Sequence, residues 1–177
     1  KETIESLLNN GLIPIINEND TVTSDELKVG DNDNLAAMTA AAVDADALIM
    51  CTDVNGFFDK NPNVHSDAKL LKHVYEITPS IYAMASAPVS STGTGVMLTK
   101  VEAAEKATAY GIDAYIVNGC DSSSLEQLAN GISPGTRLLP NEEPLTASNR
   151  WKTHTVHECG EVIIEDDNSS FYGYDQR

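Results

Sequence analysis

The stretch "GDNDNLAAMTAAAVDADALIMCTD", Gly30–Asp53, contains the two patterns that decide the fold class. Its first half is an alanine-rich segment preceded by Asp and Asn, which are preferred at helix N-termini because their side chains accept hydrogen bonds from free backbone N–H groups. Its second half, Ala47–Asp53, is a short apolar run that ends in Thr-Asp and is typical of a strand. The stretch therefore predicts a helix followed by a strand.

The rest of the chain continues this alternation of short apolar runs and longer helical segments, which indicates βαβ units and a mainly parallel sheet. The predicted strands are Leu12–Asn17, Ala47–Asp53, Asp113–Gly119 and Thr136–Pro140. The predicted helices are Glu2–Asn10, Asp33–Val43, Pro79–Ala85, Val96–Tyr110 and Ser122–Asn130. Gly111 and Gly131 follow two of these helices, where a glycine in the left-handed region commonly ends a helix. We therefore expect an α/β fold.

One segment near the C-terminus has the composition of a linker. "PNEEPLTASNR", Pro140–Arg150, is rich in Pro, Asn and Ser and follows the last predicted strand. The residues beyond it, 151–177, read as strand material with a polar tail and are too few for a domain of their own. We therefore predict a main domain over residues 1–139, a linker over 140–150 and a short β-rich segment over 151–177.

Composition restricts the classes of partner. The chain of 177 residues has 11 Lys and Arg against 27 Asp and Glu, which gives a formal net charge of −16. This charge repels nucleic-acid phosphates and anionic membranes, so neither is an expected partner. The chain has no apolar run of roughly 20 residues and no opening that resembles a signal peptide. Its three cysteines are far apart and have no metal-ligand spacing, so we expect free thiols and a cytoplasmic protein.

Polar side chains follow two of the predicted strands. Asn17–Asp20 is a run of four amide and carboxylate side chains, and Thr52 and Asp53 end the second strand. Ligands of open α/β sheets bind outside the carboxyl ends of the strands, so both clusters lie where a ligand is expected. An ordinary surface turn explains the first cluster equally well.

The segment "SSTGTGVMLTK", Ser90–Lys100, precedes and enters a predicted helix. Small residues and glycines at this position let backbone N–H groups approach a phosphate, and the helix dipole favours its negative charge. Lys100 then lies early in the helix, within reach of the same phosphate. The segment lacks the GxxxxGK[ST] pattern, and a loop followed by a surface lysine is the alternative. Together with the polar strand ends, however, it favours phosphoryl transfer.

The motifs "PIINENDTV", "KVGDNDNLAA", "CTDVNGFF" and "TGTGVMLTK" resemble, in order and with compatible spacing, those of the γ-glutamyl kinases (glutamate 5-kinases) of the amino acid kinase family. The kinase half of the pyrroline-5-carboxylate synthases is similar too. The resemblance covers about Lys1–Trp151. It implies a three-layer α/β/α sandwich with a mainly parallel central sheet, followed by the start of a PUA-like domain. The family's first strand, glycine-rich loop and first lysine have no match here, which implies a further N-terminal part of the domain.

The resemblance also implies roles for individual residues. Lys100 matches the cation that stabilises the transferring phosphoryl group, and Asp33 matches a carboxylate that orients the catalytic lysines. The ATP-binding positions are Thr52, Asp53, Thr94, Gly95, Val96, Met97, Leu98, Thr99 and Lys100. Val96 stands where the family usually has a second glycine, which implies a looser approach of the backbone to the phosphate.

The amino acid substrate is assigned by the same resemblance to Asn17, Asp20 and Asn32. The implied reaction is ATP-dependent phosphorylation of the side-chain carboxylate of L-glutamate to γ-glutamyl phosphate, the first step of proline biosynthesis. Mg²⁺ enters bound to the ATP phosphates, with no dedicated metal site on the protein. A homo-oligomer and feedback inhibition by proline are further implications. The alternatives are a non-catalytic nucleotide- or proline-sensing module of the same fold, and an amino acid kinase that acts on a related carboxylate or carbamate.

Overall fold

The computed structural model describes residues 1–17, 32–86 and 96–141. The chain divides into two units, Lys1–Thr146 and Ala147–Arg177, and all the described residues belong to the first unit. Almost all of the predicted linker and the whole of the predicted C-terminal segment lie outside the described residues, so the domain boundaries stay predictions.

Five helices occur in the described part of the chain, and each begins and ends within one residue of its predicted bounds. They are α1 (Glu2–Asn9), α2 (Asn32–Ala42), α3 (Pro79–Ala85), α4 (Val96–Ala109) and α5 (Ser122–Ala129). Local chemistry explains several ends. Pro79 occupies the first turn of α3, where its missing N–H costs nothing, and the Asp121 carboxylate accepts from the Ser123 N–H at 3.0 Å to cap α5. Gly111 and Gly131 have φ of +82° and +77° after α4 and α5, as predicted.

The described strands form one four-stranded sheet in the order β1-β3-β4-β2. The strands are β1 (Ala47–Thr52), β2 (His73–Val74), β3 (Asp113–Asn118) and β4 (Thr136–Leu138). β1 pairs in parallel with β3, and β2 pairs in parallel with β4, whereas β3 and β4 are antiparallel. Two of the three pairings are therefore parallel, and the α/β fold class predicted from the sequence is confirmed. The sequence did not predict β2, because two residues are too short to show an alternating pattern.

The strand predicted over Leu12–Asn17 is wrong. This segment has no regular secondary structure, and the side chains of Ile13 and Ile15 are 88% and 97% exposed. A strand is held by backbone hydrogen bonds to a neighbouring strand. Among the described residues, the only strand paired with β1 is β3, and none pairs with Leu12–Asn17. An apolar composition therefore predicted a strand for which the described residues supply no partner.

The core lies where α2 and α4 pack against each other and against the sheet. Ala37 of α2 and Ala104 and Ala107 of α4 are fully buried, together with Ile116 of β3 and other residues of the core. Alanine side chains let two helices approach closely, which explains the alanine-rich composition of both helices. This packing brings α2 and α4 into contact over much of their length. None of the helices in the described ranges is long and apolar enough to cross a membrane.

Candidate active site

The packing of α2 on α4 brings Asp33 and Lys100 together across 67 residues of sequence. Lys100 Nζ lies 2.9 Å from both carboxylate oxygens of Asp33. The side chains are 8% and 20% exposed, for Lys100 and Asp33 respectively. A charged pair that is largely shielded from water is held more firmly than a surface pair. The two residues predicted as the reacting centre are therefore in direct contact in the first turns of their helices.

Two more side chains join α2 to α4. Thr99 Oγ1 donates to Asp33 Oδ2 at 3.0 Å, so this carboxylate accepts from two adjacent residues of α4. Two turns along α4 from this contact, Lys106 Nζ donates to Asn34 Oδ1. These contacts hold the start of α2 against α4 at two points. These contacts also explain two of the Asp and Asn residues at the start of α2, because Asp33 binds Lys100 and Asn34 binds Lys106.

The N-terminus of α4 lies beside this ion pair. The helix begins at Val96, which is 55% exposed, and continues through Met97 and Leu98 to Thr99 and Lys100. The first backbone N–H groups of a helix have no partner within the helix, and together with the helix dipole they favour an anion. Thr94 and Gly95, predicted to precede the helix in the phosphate loop, lie outside the described residues.

A pocket of about 620 Å³, its open mouth included, lies next to the start of α4. The lining residues are Thr52, Asp53, Val54, Gly56, Phe57, Phe58, Lys60, Asn61, Pro62, Asn63, Met84, Ala85, Val96 and Met97. Small-molecule sites commonly combine apolar walls with a few polar groups, as this pocket does. Four of the residues predicted to bind ATP, namely Thr52, Asp53, Val96 and Met97, therefore line one pocket.

Most of the pocket wall was not predicted from the sequence. The loop after Asp53 supplies eight lining residues between positions 54 and 63, and α3 supplies Met84 and Ala85. The sequence signal for a constrained loop here is Gly56. Its φ is +125°, and a Cβ at this position would lie only 2.9 Å from Thr136 Oγ1, so there is no room for a side chain. Phe57 then donates its N–H to the same Thr136 Oγ1 at 2.8 Å, which fixes the loop to β4.

A side-chain hydrogen bond joins α3 to α4. Tyr82 of α3 donates its hydroxyl hydrogen to Glu105 Oε2 of α4 at 2.6 Å. Burial and this hydrogen bond to a carboxylate raise the pKa of Tyr82, so the hydroxyl stays protonated and able to donate. The contact therefore holds Met84 and Ala85 at the pocket.

A second Lys-Asp pair includes Lys60, which is one of the residues that line the pocket. Lys60 Nζ lies 2.6 Å from Asp67 Oδ2, and the two side chains are 37% and 75% exposed. The hydrogen bond with Asp67 raises the pKa of Lys60, and the same contact lowers the pKa of Asp67. Lys60 is therefore a cation at neutral pH in a protein that is otherwise strongly acidic.

Within the part of the chain that it describes, the structure does not bring together the residues that were predicted to bind the amino acid. Asn17 is exposed at the end of the irregular segment. Asn32 is the first residue of α2 and lines a second, mainly apolar cavity with Pro14 and Ile16. Asp20 lies outside the described residues. The assignment of these three residues to the substrate stays a prediction.

Comparison with known proteins identifies the family. The model of the amino acid kinase family matches residues 1–118, which include α1 to α4 and the strands β1, β2 and β3. The chain belongs to the amino acid kinase family. The family predicted from the motifs is thereby confirmed.

Curated relatives within the amino acid kinase family carry one recurring name. A protein from Pseudoalteromonas translucida named glutamate 5-kinase 1 is 56% identical over 165 residues, which are 93% of this chain and 45% of that protein. A glutamate 5-kinase from Idiomarina loihiensis is 48% identical over 94% of this chain and 45% of its own length. The chain thus spans a little under half the length of these relatives.

Solved structures of kinases have the same fold. An isopentenyl phosphate kinase matches with a TM-score of 0.57 and 24% identity, over 76% of this chain and 48% of that one. The carbamate kinase from Giardia lamblia bound to AMP-PNP matches with a TM-score of 0.55 and 25% identity, over 79% of this chain and 44% of that one. These similarities support the amino acid kinase-like α/β fold.

Proposed function

We propose that the chain forms part of the catalytic domain of a glutamate 5-kinase, which transfers the γ-phosphoryl group of ATP to the side-chain carboxylate of L-glutamate. The observation that carries the proposal is the shielded Lys100–Asp33 pair near the start of α4, beside a pocket that Thr52, Asp53, Val96 and Met97 help to line. The names of the two relatives described above, at 48% and 56% identity, supply the substrate. The product is γ-glutamyl phosphate, the first intermediate of proline biosynthesis.

The pocket between the loop 54–63 and α3 would hold the nucleotide. Its apolar wall, which includes Phe57 and Met97, suits a base, and Thr52 and Asp53 supply polar groups at the end of β1. The phosphates would then extend towards the N-terminus of α4 and Lys100, where the helix dipole and the ammonium both favour negative charge. The AMP-PNP in the structure of the Giardia lamblia carbamate kinase supports ATP as the phosphoryl donor.

Lys100 would act on the migrating phosphoryl group. Phosphoryl transfer requires little covalent chemistry from the protein and depends on positioning and on neutralising the charge of the phosphoryl oxygens. A lysine ammonium has three N–H donors, and two of them are directed at Asp33. No third partner for Lys100 occurs within the ranges that the structure describes, so one donor can be directed at a phosphoryl oxygen.

The side chains present fit a Mg²⁺ ion that is held through ATP. Asp33, the carboxylate at this site, is already engaged by Lys100 and Thr99, which leaves the ATP phosphates as the groups that would hold the ion. Mg²⁺ bound to the phosphates would add positive charge at the phosphoryl oxygens. Lys100 and the start of α4 would then orient the same phosphates.

The two alternatives from the sequence have less support. A non-catalytic sensing module does not require a lysine that is fixed by a carboxylate at a phosphate position. A kinase for a related carboxylate or carbamate fits the fold, but the curated relatives described above are named glutamate 5-kinases. Assembly as a homo-oligomer, inhibition by proline and location in the cytoplasm stay predictions.

Hydroxamate trapping tests the proposed reaction. The full-length protein is incubated with ATP, Mg²⁺, hydroxylamine and either L-glutamate, L-aspartate, N-acetylglutamate or carbamate. We expect γ-glutamyl hydroxamate with L-glutamate and at least tenfold slower ATP turnover with the others, because a site built for one substrate leaves its polar groups unpaired with another. Binding of ATP without product from any acceptor would support the sensing module instead.

The glutamate end of the site is tested with Asn32→Ala and Asp20→Ala. Both substitutions are expected to raise KM for glutamate about tenfold or more and to leave KM for ATP within about threefold, because each removes a hydrogen-bonding group for the amino acid. A rise in KM for ATP alone would assign these residues to the nucleotide.

A further inference from the structure

Thr99 and Lys100 are adjacent in α4, yet both contact the same carboxylate of α2. Thr99 Oγ1 lies 3.0 Å from Asp33 Oδ2, and Lys100 Nζ lies 2.9 Å from the same oxygen and from Oδ1. The contact between Thr99 and Asp33 is partly buried. Asp33 therefore accepts from a cation and from a neutral hydroxyl at once. A phosphate would attract the Lys100 cation, whereas the Thr99 hydroxyl carries no charge.

The Thr99 hydroxyl has a second acceptor within reach, and the two acceptors differ in strength. Thr99 Oγ1 also lies 3.0 Å from the carbonyl oxygen of Val96 in its own helix. A hydroxyl has one hydrogen to donate. The Val96 carbonyl is neutral and lies four residues before Lys100, whose backbone N–H is its partner in a regular α-helix. A carboxylate accepts a charge-assisted bond that is about twice as strong, so the hydrogen is directed at Asp33.

Lys100 alone would hold the carboxylate loosely. The terminal torsion of an aspartate is broad, and a lysine has a flexible four-carbon stem, so the two groups can turn together without losing their contact. Threonine is stiff at χ1 because it is branched at Cβ. A hydroxyl on a stiff side chain of the same helix therefore fixes Asp33 Oδ2 relative to α4, and with it the direction of the Lys100 ammonium.

We propose that Thr99 is a positioning residue of the phosphoryl-transfer site, whose hydroxyl fixes the Asp33 carboxylate that in turn fixes Lys100. The proposal rests on the proposed kinase function and adds a role to it, since the resemblance gave Thr99 only as part of the ATP-binding segment. In this role Thr99 acts on the reaction through Asp33 and does not contact the nucleotide. Its loss should affect turnover and leave ATP binding unchanged.

The test compares Thr99→Val, Thr99→Ser and the parent in the full-length enzyme, with kcat and KM measured by hydroxamate trapping. Valine keeps the shape and removes the hydroxyl, whereas serine keeps the hydroxyl. We expect Thr99→Val to lower kcat about tenfold to thirtyfold, the loss typical of one hydrogen bond to a charged group, with KM for ATP within about twofold. Thr99→Ser should keep kcat within about threefold of the parent.

Thr108→Val is the matched control. Thr108 lies in the same helix, and its hydroxyl donates to the Glu105 carbonyl three residues earlier, as the Thr99 hydroxyl would do if Val96 were its acceptor. Among the described residues, the Thr108 hydroxyl bonds only to a backbone carbonyl of its own helix and does not contact Asp33 or Lys100, so Thr108→Val should leave kcat unchanged. If Thr99→Val fails to fold, Thr99→Ala replaces it in the test, because alanine removes the same hydroxyl and favours helices.

The possible outcomes separate the two proposals. A parent enzyme that forms no hydroxamate with glutamate overturns the proposed function, and the role of Thr99 with it. A parent that turns over while Thr99→Val keeps its kcat, or raises only KM for ATP, overturns the positioning role alone. Equal losses of kcat in Thr99→Val and Thr99→Ser would also overturn it, because the hydroxyl would then not be the group that matters.

Discussion

The two Lys-Asp pairs near the pocket beside α4 differ in the elements that carry them, in their geometry and in their exposure to solvent. Lys100 and Asp33 lie on two packed helices, meet through both carboxylate oxygens at 2.9 Å and are 8% and 20% exposed. Lys60 and Asp67 lie seven residues apart, meet through one oxygen at 2.6 Å and are 37% and 75% exposed. The shorter distance belongs to the more exposed pair, so distance alone does not rank them.

Exposure to solvent and preorganisation indicate that the Lys100 pair contributes more than the Lys60 pair, although its distance is longer. An exposed pair contributes little, because water screens the charges and ordering two side chains costs entropy. A shielded pair on packed helices is already ordered before a substrate arrives, and charge stabilisation by preorganised groups is the main source of catalysis in phosphoryl transfer. The comparison favours the Lys100 pair as the one that would act in the proposed reaction, and the Lys60 pair is not expected to take part in it.

The largest expected difference is in turnover. Lys100→Ala should lower kcat by about 10²-fold to 10³-fold, the usual loss when one preorganised charge-stabilising group is removed, while KM for ATP changes much less. Lys60→Ala should keep kcat within about threefold. Steady-state kinetics of the two variants, side by side, measures this. Equal losses in both variants would remove the distinction between the pairs.

Folding stability should separate the two carboxylates. Asp33→Asn leaves the shielded Lys100 ammonium without its counter-charge, which we expect to lower the free energy of unfolding by about 3 kcal/mol, as for other buried pairs that lose one partner. Asp67→Asn should not change it measurably, because Lys60 is solvated. Urea unfolding of both variants tests the difference. If Asp67→Asn lowered the free energy of unfolding as much as Asp33→Asn, exposure would not determine how much an ion pair contributes to stability.

The helices were predictable from the sequence because their signals are local. Asp121 before α5, Pro79 in α3 and Gly111 after α4 each specify a helix end through nearby backbone atoms. The strand expected at Leu12–Asn17 was wrong because a strand also requires a partner, which no local pattern reports.

The site was predictable only in part for the same reason. The resemblance implied that Asp33 orients Lys100 and that Thr52 and Asp53 contact ATP, but it did not give the packing that places them. The contact between Asp33 and Lys100 depends on how closely α2 and α4 pack, and the pocket wall from residues 54–63 depends on a loop anchored to Thr136 of β4. Both depend on contacts between residues distant in sequence.

The smallest expected effect is on the ionisation of Asp67. Its hydrogen bond with Lys60 lowers its pKa below the ordinary value. Any stabilisation from this pair is therefore complete above the ordinary pKa of an aspartate and is lost as the pH falls through the lowered one. In Lys60→Met the pKa of Asp67 should return towards the ordinary value, as followed by NMR of its side-chain carboxyl carbon. An unchanged titration would show that the pair does not persist in solution.

The most direct test of the account asks whether Asp33 and Lys100 act as one unit. Turnover of glutamate is measured by hydroxamate trapping for the full-length parent, Asp33→Asn, Lys100→Met and the double variant. If Asp33 acts by fixing Lys100, the double variant should be no slower than Lys100→Met alone, to within about threefold, because the carboxylate has no lysine left to fix. Losses that multiply in the double variant would mean that the two residues act independently, and would contradict the central claim that this pair is the reacting centre.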